Sequence, residues 1–216
     1  MDKNLSEVQN SYDQIAEEYV RRIFNELAHK PLDRQLLDRY AASVRSGLVC
    51  DLGCGPGHIS RYLFDRGVSV FGIDLSPRMI EYARQLNPGI EFKQGNMLSL
   101  DADDNTWAGI VSFYSIIHIP HEKIAAALKE LRRVLQPGGS LLLSFHSGHE
   151  VIHLEEWWGI RVSVDVIFFE RDEMVDYLKS AGFEIEEVIE RPPYEGVEYP
   201  SQRAYIFGRK PLEISI

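Results

Sequence analysis

A chain of 216 residues, 44% of them hydrophobic, is long enough to bury a sizeable core and falls within the range of a single domain. Its 33 acidic against 23 basic residues leave a net charge of −10, and no Lys/Arg-rich run interrupts that balance, so duplex nucleic acid would be repelled in the absence of a local basic patch and no nucleic-acid partner is expected. No apolar run approaches the ~20 residues of a membrane span and the first residues lack a signal-peptide core, which predicts a cytoplasmic protein with no membrane partner.

In chain order, Val8, Tyr12, Ile15, Tyr19 and Ile23 recur at spacings of three and four and predict an amphipathic helix over 6–27. Pro31 separates it from a second helix over 32–44. Helices that precede the first strand cannot be sheet crossovers, so both are expected over the sheet's carboxyl edge. The run Leu48-Val49-Cys50-Asp51-Leu52-Gly53-Cys54-Gly55-Pro56-Gly57 then ends an apolar strand in a carboxylate and three spaced glycines, before Ile59, Tyr62 and Leu63 open a helix. Glycine is needed where a chain turns tightly after a strand or lets its backbone approach a ligand, and the helix start offers free N–H groups. A dinucleotide fingerprint has glycines at positions one, three and six of such a turn; here His58 takes the sixth, and Asp51 would face a pyrophosphate with negative charge. A cationic cofactor suits the pattern better than NAD.

The next strand, 68–73, ends in Asp74, about 20 residues beyond the glycines, where a carboxylate can accept both hydroxyls of a ribose. Ser76 is expected as the N-cap and Pro77 as the first residue of the helix that follows. A third strand over 90–95 leads into Asn96 and Met97, and a fourth over 108–113 leads through Tyr114 and Ser115 to His118. A helix over 121–135 stops at Gln136-Pro137-Gly138-Gly139, and the apolar run 140–145 predicts a fully buried strand. Residues 146–169, with Trp157-Trp158 and an alternating stretch over 160–166, insert at the carboxyl edge where α/β sheets bind ligands, and are expected to form half of a substrate pocket. A last helix over 170–180 closes at Gly182, and strands over 183–189 and 203–208 complete the chain around a loop bearing Pro192, Pro193 and Pro200. Cys50 and Cys54 are the only cysteines and suggest neither a disulfide nor a metal site; His146, His149 and His153 lack the helical spacing and intervening Glu of a zinc motif, so no metal is expected.

The D-L-G-C-G-P-G run, the D-L-S-P-R-M segment from Asp74 and the L-x-P-G-G turn resemble the motifs of the class I S-adenosylmethionine (SAM) dependent methyltransferases, in their small-molecule branch. Ser11 to Tyr19 is similar to the Y-D-x-x-A-x-x-Y signature with which many of them begin. The resemblance spans nearly the whole chain and is most specific between Val49 and Arg84. It implies a Rossmann-like α/β fold with a seven-stranded sheet of order 3-2-1-4-5-7-6, strand seven antiparallel, carrying an N-terminal helical cap and an insertion after strand five. The expected division is a single domain over 1–216: a cap over 1–45, a cofactor-binding core over 46–146, a lid over 147–169, and a C-terminal helix and hairpin over 170–210.

The same resemblance implies that Asp51, Gly53, Cys54 and Gly55 meet the methionine and ribose portions of SAM, that Asp74, Leu75 and Met79 meet the ribose and its surroundings, and that Asn96 and Met97 meet the adenine, with Phe113 and Ser115 beside them. Asn96 stands where the family usually has aspartate; an amide oxygen can still accept from the adenine amine, though more weakly. Tyr12 and Tyr19 would close over the cofactor, or else be core aromatics on one helical stripe. The implied reaction is methyl transfer to a small-molecule O, N or C nucleophile, releasing S-adenosylhomocysteine, in a monomer or homodimer. His118 is the candidate general base, and Tyr114, His118, His146 and Trp157 are the candidate acceptor contacts. A catalytically silent SAM-binding scaffold and an NAD-dependent oxidoreductase are the competing readings.

Overall fold

The computed structural model describes residues 3–44 and 46–212, so residues 1–2 and 45 of the expected cap, and 213–216, lie outside the described residues. Helices α1 (Lys3–Ile23) and α2 (Pro31–Ser43) lead into β1 (Val49–Leu52), α3 (His58–Phe64), β2 (Val70–Asp74), α4 (Pro77–Leu86), β3 (Glu91–Gln94) and β4 (Trp107–Phe113). Then follow α5 (His121–Val134), β5 (Leu135–Ser147), β6 (Val151–Trp157), β7 (Ile160–Ile167), α6 (Arg171–Ser180), β8 (Glu184–Arg191) and β9 (Gln202–Arg209). Seven strands form one sheet in the order β3-β2-β1-β4-β5-β9-β8, parallel from β3 to β5, with β9 antiparallel to both its neighbours. This is the expected order once the insertion is set aside. The insertion itself is a finding: its alternating stretch pairs with 151–157 into a separate antiparallel ribbon, β6-β7, which the expectation of a lid did not count as strands.

The sheet is covered on both faces, which is why its central strands are apolar at successive residues. Leu141 and Leu143 of β5 face α5 and α6 with Leu128, Leu131, Met174 and Leu178, while Leu142 between them faces the opposite layer with Leu36, Leu37 and Tyr40 of α2. Alternation along a strand thus serves two cores at once. Residues 136–139, read as a turn, lie within β5 as an interruption of its ladder: Trp107 pairs with Leu135 and Gly109 with Ser140, so these residues bulge out, and Gly138 there has φ of +78°. Among the described residues, no helix is long and apolar enough to cross a membrane.

The start of α4 has the expected form, with Ser76 Oγ accepting the Met79 N–H at 3.1 Å and Pro77 in the first turn. Its N-terminus also holds α1. Asp13 Oδ1 accepts from Ser76 Oγ at 2.5 Å and from the Arg78 N–H at 3.2 Å. Two residues earlier, Ser11 Oγ donates to the Ser163 carbonyl at 3.1 Å and accepts the Ser163 N–H at 3.0 Å, which ties α1 to β7. Val8 and Ile15 bury against Val162 and Val164 around these bonds. The two attachments predicted separately from the sequence are therefore one assembly over the carboxyl edge of the sheet.

Candidate active site

Two adjoining cavities open at this edge, of about 90 Å³ and about 530 Å³, with Tyr12, Tyr19, Gly53, Gly55, Phe113 and Tyr114 bordering both. The smaller one lies over the ends of β1, β2 and β4. Gly53 has φ of +74°, and a Cβ there would stand 2.2 Å from that of Ser115, so no other residue fits without displacing the chain. Ser115 is held in that position by donating to the Leu52 carbonyl at 2.7 Å. The N–H groups of Gly53 and Cys54 donate to the Ile73 carbonyl at 2.7 and 3.0 Å, which binds the turn to the end of β2.

Asp74 completes that link, because its two oxygens accept the N–H groups of Gly55 and Ser76, each at 2.8 Å. Burial nevertheless pushes its carboxyl up to about 6, against the pull of those N–H donors. Asp51 accepts from Ser60 Oγ at 2.6 Å, borders the larger cavity with Cys54, and is likewise pushed by burial to about 6. Neither carboxylate has an ion pair among the described residues. A buried acid and a half-buried one beside a glycine turn whose backbone is exposed to a cavity suit a ligand carrying hydroxyl donors and positive charge.

Leu75, Asn96 and Met97, candidates for the ribose and adenine contacts, line the smaller cavity. The Asn96 amide oxygen already accepts the Leu98 N–H at 2.9 Å, so it shapes its own turn as well as the cavity wall. Met79 does not line either cavity; it is fully buried in α4, where it contributes its N–H to the cap of Ser76. Its placement beside the cofactor is corrected by the helical phase, which turns it inward. The sequence reading missed Leu5, Val8 and Gln9 of α1, which close the smaller cavity. The helical stripe that includes Val8 was the available signal.

His118 reaches the smaller cavity, His146 and Trp157 reach the larger one, and Tyr114 borders both, with the His118 ring bonded at either nitrogen. Its Nδ1 lies 2.8 Å from the Asp165 carbonyl and its Nε2 2.7 Å from the Tyr12 hydroxyl. A carbonyl only accepts, so Nδ1 carries the proton and Nε2 accepts from Tyr12. Burial pushes the imidazole down to about 4. With both nitrogens engaged, the expected base has no free lone pair; it holds Tyr12 in place. Tyr12 in turn meets Tyr19 and Trp157 edge to face, at centroid distances of 5.7 and 5.8 Å. Tyr114 has φ of +50°, a costly conformation for an aromatic residue and one that turns its ring between the two cavities.

The far end of the larger cavity is ionic, and nothing in the sequence announced it. Arg191 Nη2 donates to Asp33 at 2.8 Å and Nη1 to Glu198 at 2.6 Å, while Lys30 Nζ sits 2.7 Å from Glu26 and 3.3 Å from Glu198. The partners come from α2, the 26–30 connection, β8 and the loop 192–201. His149 and His153 face outward, paired with Glu170 and Asp165 at 2.6 and 2.7 Å, so they do not converge with His146. Among the described residues, no three His, Cys, Asp or Glu side chains are grouped to hold a metal.

Residues 49–139 match the family model described as a methyltransferase domain. The chain is 30% identical over 162 residues to the methyltransferase YqeM of Bacillus subtilis, covering 72% of this chain and 62% of that one. It is 30% identical to the malonyl-[acyl-carrier protein] O-methyltransferase of Enterobacter lignolyticus (60% of this chain, 52% of that one), and 36% identical to the trans-aconitate 2-methyltransferase of Methylobacterium nodulans (60% and 46%). The chain thus spans about half to three fifths of the length of these curated relatives. In fold it is similar to the magnesium protoporphyrin IX methyltransferase of Synechocystis with bound SAM, at a TM-score of 0.71 and 20% identity over 97% of this chain and 98% of that one. A SAM-dependent methyltransferase of Methanosarcina mazei gives a TM-score of 0.69 at 24% identity, over 77% and 93%.

Proposed function

Residues 49–139 are a methyltransferase domain of the class I SAM-dependent family, and on that premise we propose that this protein transfers a methyl group from SAM to a small molecule held in the larger cavity. The residues present fit the cofactor. The turn leaves the backbone bare at Gly53, where a Cβ would meet Ser115, and at Gly55, and Asp51, buried, and Asp74, half-buried, are acids with no ion pair among the described residues. Asp74 would receive the ribose hydroxyls and Asp51 would face the cationic methionine end. When bound, SAM supplies an electrophilic methyl on a sulfonium.

What the chain itself contributes is approximation and exclusion of water. Tyr12, Tyr19 and Trp157 form an edge-to-face cluster at the border of the two cavities, and His118 fixes the Tyr12 hydroxyl within it. In this reading His118 is a positioning residue, and transfer proceeds without a protein base at that place. The named relatives act on acceptors as different as trans-aconitate and a malonyl carrier protein, so the acceptor here is read from the cavity rather than inherited.

The observation that carries the proposal is the Asp74 carboxylate at the end of β2, tied to Gly55 of the turn. Calorimetry with S-adenosylhomocysteine should show Asp74→Asn weakening binding by about 2 kcal/mol, roughly 30-fold, through loss of a charge-assisted contact. An unchanged dissociation constant in a folded variant sinks the ribose assignment. The NAD reading is opposed by the two acids, which would meet a pyrophosphate with like charge, and an NADH titration is its direct control.

A further inference from the structure

His146 stands at the end of β5, directly opposite Arg203 of β9. Its ring stacks on Phe168 at a centroid distance of 5.0 Å and 19° and meets Tyr114 at 5.4 Å, so it forms part of a flat wall of the larger cavity. Trp157 and Trp158 contribute further aromatic surface to the same cavity. The polar edge of His146 is held from behind. Its Nδ1 lies 2.7 Å from Ser201 Oγ, and Arg203 Nη1 donates to both Ser201 Oγ and the Ser201 carbonyl.

The direction of that chain follows from its first member. A guanidinium has only donors, so Ser201 Oγ accepts from Arg203, and among the described residues His146 Nδ1 is the acceptor in reach of the Ser201 proton, which would otherwise go unused. That arrangement places the imidazole proton on Nε2, which has no hydrogen-bond partner among the described residues although His146 is only half-buried and lines the cavity. Burial and the nearby Arg203 charge push His146 down to about 3, so it remains neutral over the whole working range. Its one lone-pair nitrogen is spent on Ser201. His146 therefore cannot act as a base, and what it presents to the cavity is an N–H.

We infer that His146, locked as its Nε2–H tautomer by Ser201 and Arg203, is the hydrogen-bond donor that recognises an oxygen of the methyl acceptor, and that the acceptor is a flat, largely apolar molecule bearing a carbonyl or carboxylate oxygen. This rests on the reading of the larger cavity as the acceptor site. Most of the cavity's other polar groups are already engaged or lie on the cofactor side: Asp51 stands beside the glycine turn, Tyr12 and Tyr114 bond His118 and Tyr205, Lys30 and His58 pair with Glu26, and Glu198 meets Lys30 and Arg203, which leaves His146 with the hydroxyls of Tyr19 and Tyr199 to face an acceptor. Aromatic and aliphatic side chains make up most of the remaining wall, including Phe113, Ile152, Leu154 and Val166.

Two measurements test the inference. In protein labelled with ¹⁵N-histidine, the ring ¹H–¹⁵N correlation at about pH 7 should show His146 neutral with its proton on Nε2, and Ser201→Ala should release that preference; a charged ring or an Nδ1–H tautomer in the unaltered protein overturns it. Binding of 2-naphthoate, 2-acetylnaphthalene and 2-ethylnaphthalene, followed by tryptophan fluorescence with and without saturating S-adenosylhomocysteine, should then favour one or both oxygenated probes about 3–10-fold over the hydrocarbon. The stronger of the two distinguishes a carboxylate from a carbonyl. His146→Phe should abolish the preference and His146→Gln restore part of it. Equal binding of all three, no binding by any, or a preference that survives His146→Phe, each overturns the acceptor assignment. Failure of S-adenosylhomocysteine to bind in calorimetry would instead strike the cofactor reading, leaving the tautomer result to stand by itself.

Discussion

The smaller cavity is lined mainly by residues within a few positions of a strand end, from Gly53 and Gly55 after β1, Asp74 and Leu75 after β2, Asn96 after β3 and Ser115 after β4. The larger one is closed by segments far apart in the chain: α1 and the 26–30 connection, the β6-β7 ribbon, and the loop 192–201. In the first, backbone hydrogen bonds between neighbouring strands hold the site, as in the bonds from Gly53 and Cys54 to Ile73. In the second, side chains do it, through Ser11 on Ser163 and Arg191 on Asp33 and Glu198, while Asp13 on Ser76 ties α1 to the rim of the smaller cavity. A site held by the sheet is preformed, while one held by a few side-chain bonds between distant segments can open without disturbing the sheet.

The sharpest way to break this contrast is at the ionic end of the larger cavity. Asp33 and Glu198 have side chains only 1% and 2% exposed, so Arg191→Leu leaves two buried carboxylates short of their counter-charge and should cost about 3–5 kcal/mol of stability. Thermal unfolding should fall by about 10 °C. S-adenosylhomocysteine affinity measured well below that transition should stay within about twofold of the original. A loss of under about 1 kcal/mol would show that the network does not hold the acceptor side together.

A smaller effect is expected at the seam between α1 and β7. Hydrogen exchange should slow in residues 6–28 and 147–169 when S-adenosylhomocysteine binds, with little change in β1 and β4. Ser11→Ala, which removes both bonds to Ser163, should speed exchange in the two segments together by about five- to tenfold, on the order of 1 kcal/mol. Acceleration confined to one of them would mean that cap and ribbon move independently. Equal protection with and without ligand would mark the assembly as permanently closed.

The smallest effect is a proton linkage that belongs to the two acids beside the glycine turn. Asp51 and Asp74 titrate near 6 in the folded protein against an ordinary 3.8, so the folded state holds protons that the unfolded state has released. Their contribution to stability is present below about pH 4 and is lost as pH rises through about 6. Cofactor binding pulls the other way, because positive charge and hydroxyl donors favour the ionised acids. S-adenosylhomocysteine should therefore bind more tightly as pH rises from about 5 to about 7, and release up to about one proton near pH 6 and none near pH 8, read by calorimetry in buffers of different ionisation enthalpy. His118 and His146, held at about 4 and 3, stay neutral across this window. An affinity that falls with pH over that range would refute the assignment of the acids.

Much of the cofactor side was legible because its signals are local. The glycine turn, Asp74 at a strand end, and Ser76 with Pro77 at a helix start each follow from φ/ψ demands or caps that act within a few residues. Met79 shows the limit of that reasoning: its motif position placed it at the cofactor, but the phase of α4 turns it into the core. The alternating stretch over 160–166 was visible as alternation, yet nothing in it identified 151–157 as its pairing partner, since strand pairing depends on the register of a distant segment.

By itself the sequence determined the core strands and helices, the glycine turn and the two acids beside it, because these arise from periodicity and backbone geometry that are written over short distances, while the sheet order was legible only through the family resemblance. The tertiary structure alone decided the acceptor side. Arg191 meets Asp33 across 158 positions, Ser201 meets His146 across 55 and Tyr12 meets His118 across 106, so whether each side chain is a free acid, a base, a donor or a strut depends on partners the local sequence does not carry. The physical reason is that a buried polar group takes its protonation and its role from whatever completes its hydrogen bonds, and here folding brings those partners from elsewhere in the chain.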